Sequence, residues 1–235
     1  MNHIFYMQFD TSMTDEEKDL FMQCLTVARK ERVLRLKGRE SSIKCLQTGL
    51  FLRYCLDACG VQCTNEDILV AEDDKPYIKN HPVFFNISHS DNYVVVMISD
   101  QNCGIDLQRN MDFKERLAKK IMHESEYVLV CEYPEDKDAL LTACWAGKEA
   151  YLKYTGTGIR YAMSSVDVSE LMKQLYDRKA DCFAMIPEQD QVFMRYLSIE
   201  NHYFLAVCQK EDFVQPIVKK VDINQVYSSM KSLYL

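Results

Sequence analysis

Residues 84–108 read FFNISHSDNYVVVMISDQNCGIDLQ, and most of this stretch has the pattern of a β-hairpin. Apolar residues fill two strand-like runs, and Ser90, Asp91 and Asn92 supply turn chemistry between them. Yet Asn86, Ser88 and His89 close the first run, and Asp106 sits inside the next strand-like run, 103–107. A serine-histidine pair and a lone carboxylate at strand ends otherwise suited to burial are the features that the rest of the chain must explain.

Working outward, strand patterns are expected at 3–9, 67–71, 77–78, 83–87 and 93–99. A capping box, Thr14 with Glu17 three residues on, opens a helix. A long helix is expected over 41–58, with Leu46, Leu50, Tyr54 and Ala58 at fourfold spacing and Gly60 ending it. Beyond residue 102 the pattern returns: a strand at 103–107, helices at 113–122 and 136–154, the latter closed by Gly156, then strands at 166–168, 192–199 and 202–209. SDNYVVVMISD (90–100) resembles IENHYFLAVCQ (199–209): a polar turn, an aromatic residue, then an apolar strand. This internal similarity predicts an α+β fold of two similar α/β lobes related by a pseudo-twofold, each with a small sheet packed on a long helix. The expected division is 1–101, 102–209 and a C-terminal extension, 210–235. Ser88 and His89 would come from the first lobe and Asp106 from the second, rimming a cleft between them.

Bulk properties narrow the function. The 235 residues are 48% hydrophobic and 27% charged, and no apolar run approaches the roughly 20 residues that span a bilayer. The N-terminus, MNHIFYMQFD, has no basic region ahead of an apolar core, so no signal peptide is read there. The ten cysteines include no C-x-x-C pair, which points to buried, reduced thiols rather than zinc ligands and to a cytoplasmic protein. A net charge of −7 argues against a general nucleic-acid binder. Against that background RKERVLRLKGR (29–39) is strongly basic. A solvated helix face and a local anion site both fit it.

Three further features bear on chemistry. On a strand, Gly104, Asp106 and Gln108 share one face, placing two oxygen donors beside a glycine that permits close approach. On the helix 136–154, Trp145, Glu149 and Lys153 advance by four residues along the border of an apolar stripe, while Lys148 projects into it. Lys148 is then either a snorkelling lysine or an ammonium aimed at a buried anion. In EDDKPY (72–77), Pro76 fixes the backbone behind Lys75. Ser88 and His89 are adjacent and point apart on a strand, and no G-x-S-x-G elbow exists, so a serine hydrolase is excluded. Two acids, an amide and several lysines suit a hard cation and phosphate oxygens.

NISHS (86–90), GIDLQ (104–108) and WAGKEAYLKYTGTG (145–158) resemble the signatures of 4′-phosphopantetheinyl transferases, in particular the two-lobed Sfp type. DDKPY and the basic segment fall where that type has them, and the resemblance runs to about Gln209. It implies transfer of the phosphopantetheine arm of coenzyme A to a serine of an acyl, peptidyl or aryl carrier protein, releasing 3′,5′-ADP. It further implies that Asp106, Glu149 and Gln108 hold Mg²⁺ on the diphosphate. Glu149 would take the serine proton and Lys153 would oppose the growing negative charge. Ser88, His89, Lys75, Pro76 and Lys148 would bind coenzyme A, with Arg29, Arg32 and Lys44 near its 3′-phosphate. Many members carry an acid where this chain has Gln108, which leaves one negative charge fewer for the metal. By the same resemblance the carrier protein would dock around 119–127 and after Gly156, and one chain would act as a monomer. A non-catalytic coenzyme A or carrier-binding module and a nucleotide-diphosphate hydrolase are the competing readings.

Overall fold

The computed structural model of the chain describes residues 1–71, 75–158, 162–177, 182–185, 192–210 and 215–234. In chain order the first hundred residues form β1 (Asn2–Gln8), α1 (Asp15–Met22), α2 (Val27–Arg35), α3 (Arg39–Ala58), β2 (Ile68–Val70), β3 (Pro76–Ile78), β4 (Phe84–Ser90) and β5 (Tyr93–Ser99). The remainder forms β6 (Cys103–Arg109), α4 (Glu115–Ile121), α5 (Glu124–Glu132), α6 (Lys137–Thr155), α7 (Ser169–Tyr176), β7 (Cys182–Met185), β8 (Val192–Leu197), β9 (Tyr203–Lys210), β10 (Ile217–Val221) and α8 (Ile223–Tyr234). The fold is α+β, with small sheets packed on helices, as expected.

Contacts divide the chain into two units: Met1–Phe85 with Asn92–Asp100 and Pro216–Leu235, and Asn86–Asp91 with Gln101–Gln215. Two details differ from the sequence reading. Residues 86–91, expected in the first lobe, pack with the second unit. The tail, expected as an extension, supplies the first unit with a strand and a helix.

In the first unit Thr14 and Glu17 make the expected reciprocal bonds, the Glu17 amide to Thr14 Oγ1 at 3.2 Å and the Thr14 amide to Glu17 Oε2 at 3.0 Å. The sheet runs β10-β1-β5-β4, β4 entering it with Phe84 and Phe85 and leaving the unit at Asn86. β1 is antiparallel to β5 and parallel to β10. Leu46, Leu50 and Phe51 of α3 are fully buried, and α8 adds Val226 and Met230. Gln47 Nε2 ties the unit together, donating to Asp10 O at 2.6 Å and to Tyr227 Oη at 2.7 Å. Most of the basic segment forms a helix, α2, capped by Thr26 accepting from the Arg29 amide.

In the second unit the sheet order is β6-β9-β8-β7, all antiparallel. The order of elements β6, α6, β8, β9 repeats that of β1, α3, β4, β5, and in each unit the opening strand pairs with the last of these. The apolar stripe of α6 is buried with Met194, Tyr196, Ala206 and Cys208 of the sheet. Glycines set how closely α6 approaches. A Cβ on Gly104 would lie 1.9 Å from Ala150 O, and one on Gly147 would lie 2.7 Å from Tyr196 Oη. What closely approaches Gly104 is therefore the backbone of α6. Gly156 ends that helix at φ 72°, in the left-handed region that glycine adopts without strain. The strand expected at 166–168 is absent: after a 3-10 turn, Met163–Ser165, the chain runs without regular structure, and Val166 and Val168 are buried in the hydrophobic core. A short apolar run has no periodicity to separate the two cases.

Candidate active site

β6 is an edge strand of its sheet, and an edge leaves backbone groups to be satisfied. The motif NISHS does this through alternate residues, which share a strand face. Asn86 Oδ1 accepts from the Ile105 amide at 3.1 Å, Ser88 Oγ donates to Asp106 Oδ1 at 2.8 Å, and Ser90 Oγ accepts from the Arg109 amide at 3.0 Å. The polar end of this strand is thus what seats GIDLQ. The sequence reading gave Asn86 no role and Ser90 only a turn, although their i, i+2, i+4 spacing with Ser88 carries the signal. His89, on the alternate face, is exposed, with its charge felt by Asp106.

Asp106 is only 5% exposed. Its Oδ1 accepts Lys153 Nζ at 2.6 Å as well as the Ser88 hydroxyl, whereas Oδ2 is buried without a hydrogen-bond partner. Lys153 Nζ also donates to Ser88 Oγ at 2.9 Å and to Ile105 O at 3.2 Å. Both groups are brought together by the close seating of α6 on β6 at Gly104. Burial holds the Asp106 carboxyl above its ordinary pKa, with Lys153 and Ser88 opposing the shift. Glu149, one helical turn before Lys153 and half-buried, is also raised, first by burial and then by the negative charge of Asp106. Gln108 is half-buried on the same face of β6 and donates Nε2 to Arg109 O at 3.1 Å.

These residues suit a divalent cation. Asp106 offers an orphaned buried oxygen, Glu149 lies within its electrostatic reach, and burial raises the pKa of both carboxyls, a shift that added positive charge would oppose. Among the described residues no three His, Cys, Asp or Glu side chains form a metal cluster. Two carboxylates and an amide leave further positions to substrate oxygens and water, as Mg²⁺ typically takes them.

Lys148 meets a buried anion, and that anion belongs to the fold. It is fully buried, and Nζ lies 2.6 Å from Glu126 Oε2, 2.7 Å from Ile121 O and 3.0 Å from Met163 O. Its three donors are therefore used internally rather than on a cofactor. Glu126, also fully buried, accepts from the amides of His123 and Val168, both at 2.7 Å. The pair fastens the ends of α4 and α5 and the segment 163–168 onto α6. No local pattern in the sequence links Glu126 to Lys148, 22 residues on.

Two of the basic candidates of the first unit, Arg29 and Arg32, border a cavity of about 480 Å³. Pro76 lines it as well, and Arg35 and Arg53 add to the lining. Arg53 is 4% exposed and paired with Asp57. Lys44 is absent from this lining, pairs with Glu40 at 2.6 Å and lies over the Phe9 ring. Lys75, half-buried, precedes β3 and accepts the Ala71 amide at its carbonyl, 3.0 Å.

Residues 102–208, which carry Asp106, Gln108, Glu149 and Lys153, match the family model of the 4′-phosphopantetheinyl transferase superfamily. A 4′-phosphopantetheinyl transferase of Bacillus subtilis is 26% identical over 226 residues, covering 92% of this chain and 96% of the relative. The 4′-phosphopantetheinyl transferase Sfp of Bacillus subtilis (strain 168) is 23% identical, covering 91% and 95%. A fungal relative, the L-aminoadipate-semialdehyde dehydrogenase-phosphopantetheinyl transferase of Candida glabrata, is 23% identical, covering 87% and 82%.

Proposed function

The chain belongs to the 4′-phosphopantetheinyl transferases of the Sfp type, and from that premise we propose that a serine hydroxyl of an apo carrier protein attacks the diphosphate of coenzyme A, takes the phosphopantetheine arm and releases 3′,5′-ADP. The observation that carries this reading is the Asp106–Lys153 pair with Glu149 one turn away on the same helix. Asp106, Glu149 and Gln108 would hold Mg²⁺. When bound, that ion supplies positive charge to the diphosphate oxygens and polarises the phosphorus they surround.

The chain's own side chains supply the rest. Glu149 is a proton acceptor for the serine hydroxyl, directly or through a water, because its raised pKa brings it closer to working pH. Lys153 turns its ammonium to the negative charge that grows on the departing phosphate. Ser88 and His89 donate to phosphate oxygens. In the first unit Arg29 and Arg32 face the cavity and suit the nucleotide's 3′-phosphate, with Pro76 and the adjoining Lys75 beside it. The carrier protein docks on the 119–127 surface, whose backbone the Lys148–Glu126 pair fastens.

One chain is the catalytic unit in this reading, and the cytoplasm is its compartment. The free thiols recorded along the chain favour a reducing environment, and among the described residues no helix is long and apolar enough to cross a membrane. Intact mass spectrometry of an apo carrier protein with coenzyme A and Mg²⁺ tests the reaction. A gain of the phosphopantetheine arm is the expected result. Consumption of coenzyme A without that gain would mean a hydrolase, and an unchanged mixture a binding module.

A further inference from the structure

The ammonium of Lys153 sits where a metal-binding carboxylate would receive its cation. It lies 2.6 Å from Asp106 Oδ1 and is steadied by Ser88 Oγ at 2.9 Å and Ile105 O at 3.2 Å. The other carboxylate oxygen is buried. A divalent cation approaching Asp106 alone meets a positive charge that is close and only partly exposed to screening water. We propose that Lys153 is a resident stand-in for the metal at Asp106, so that the ion binds strongly only together with an anionic diphosphate. This rests on the function proposed above and adds to it an order of assembly.

The charges explain the coupling. Asp106 and Glu149 carry at most two negative charges, and Lys153 cancels one of them before any metal arrives. The neutral amide at Gln108 contributes none. A diphosphate brings the missing negative charge and offers the ammonium a new acceptor, which would free the Asp106 carboxylate for the ion. Metal and coenzyme A must then strengthen each other's binding by one and the same factor, since linkage between two ligands is reciprocal. Metal-independent charge compensation by Lys153 also accounts for how a carboxylate as buried as Asp106 is tolerated in the ligand-free fold.

The test is direct binding of Mn²⁺, read by electron paramagnetic resonance of the free ion, in the wild type, Lys153→Met and Lys153→Gln. Each is titrated without and with coenzyme A, and thermal melts verify folding. The wild type should bind Mn²⁺ weakly alone and about tenfold or more tightly with coenzyme A, the scale set by one like charge at short range. Both variants should bind Mn²⁺ alone more tightly than the wild type and gain less from coenzyme A. Binding to the variants alone that is equal to or weaker than the wild type's would overturn the proposal. Carrier-protein mass is a separate readout: tighter Mn²⁺ binding in the variants with no transfer by the wild type would leave this inference standing and reject the proposed reaction.

Discussion

Asp106 and Glu149 are two carboxyls whose surroundings disfavour their charged forms, one almost wholly buried and one beside it on α6. A carboxyl raised on folding stabilises the fold fully below its unfolded pKa. That contribution is lost as the pH rises through the folded value. Glu149→Gln removes the titration while keeping the shape. The metal-free variant should therefore melt above the wild type at pH 8, with the difference shrinking toward zero as the pH is lowered below the ordinary glutamate range. Calorimetric melts across pH 4–8 in the presence of a chelator would show this trend. A variant that melts below the wild type at pH 8, with the gap closing toward acid pH, would mean that Glu149 is stabilised as an anion by a partner. The acidic residues and Lys153 were readable in the sequence because strand and helix periods alone put them on shared faces. Lys148 was half-readable: the helical period put it in the apolar stripe, but only the folded chain shows that its anion is Glu126.

At the scale of elements, the site depends on how α6 lies on β6. Gly104 lets the helix backbone come so close that a methyl group there has no room. Gly104→Ala must push α6 outward, at a cost of about 1–3 kcal/mol or more from overpacking. The same shift pulls Lys153 away from Asp106. Unfolding by denaturant should show the loss, and transfer by the folded fraction should fall as well; an unchanged rate would mean that the seating of α6 does not position the site. The Lys148–Glu126 pair makes a second prediction. Lys148→Met strands a fully buried carboxylate and should cost about 3–5 kcal/mol. Adding Glu126→Gln removes the charge and should return part of that loss, measurable as a double-mutant cycle; a double variant no better than the single one would show that hydrogen bonds, not charge, dominate. The strand expected at 166–168 and the missed helix α5 mark where reading by period fails. Each is a short segment whose burial is decided by distant partners such as Glu126, which accepts the Val168 amide.

On the scale of the whole molecule, the internal repeat was legible because each half carries the same run of strand, long helix and hairpin. The tail was not, since IVKKV has exposed lysines where an edge strand needs them and reads as polar rather than as sheet. It nevertheless adds β10 to β1 and buries Val226 and Met230. Each such side chain contributes about 1.5–3 kcal/mol when fully buried. Ending the chain at residue 215 should therefore abolish cooperative unfolding of the first unit, seen as loss of its amide protection in hydrogen exchange. Unchanged protection there would make the tail an accessory.

The central claim is that Asp106 and Glu149 serve one transfer reaction. The rate at which an apo carrier protein gains the phosphopantetheine arm, followed by intact mass at saturating coenzyme A and Mg²⁺, tests it in the wild type, Asp106→Asn and Glu149→Gln. The account predicts transfer by the wild type, a loss of about 10²–10⁴-fold in folded Glu149→Gln, the range for a lost acid–base group, and a marked loss in folded Asp106→Asn through the lost metal ligand. Wild-type-like transfer by either variant would contradict it.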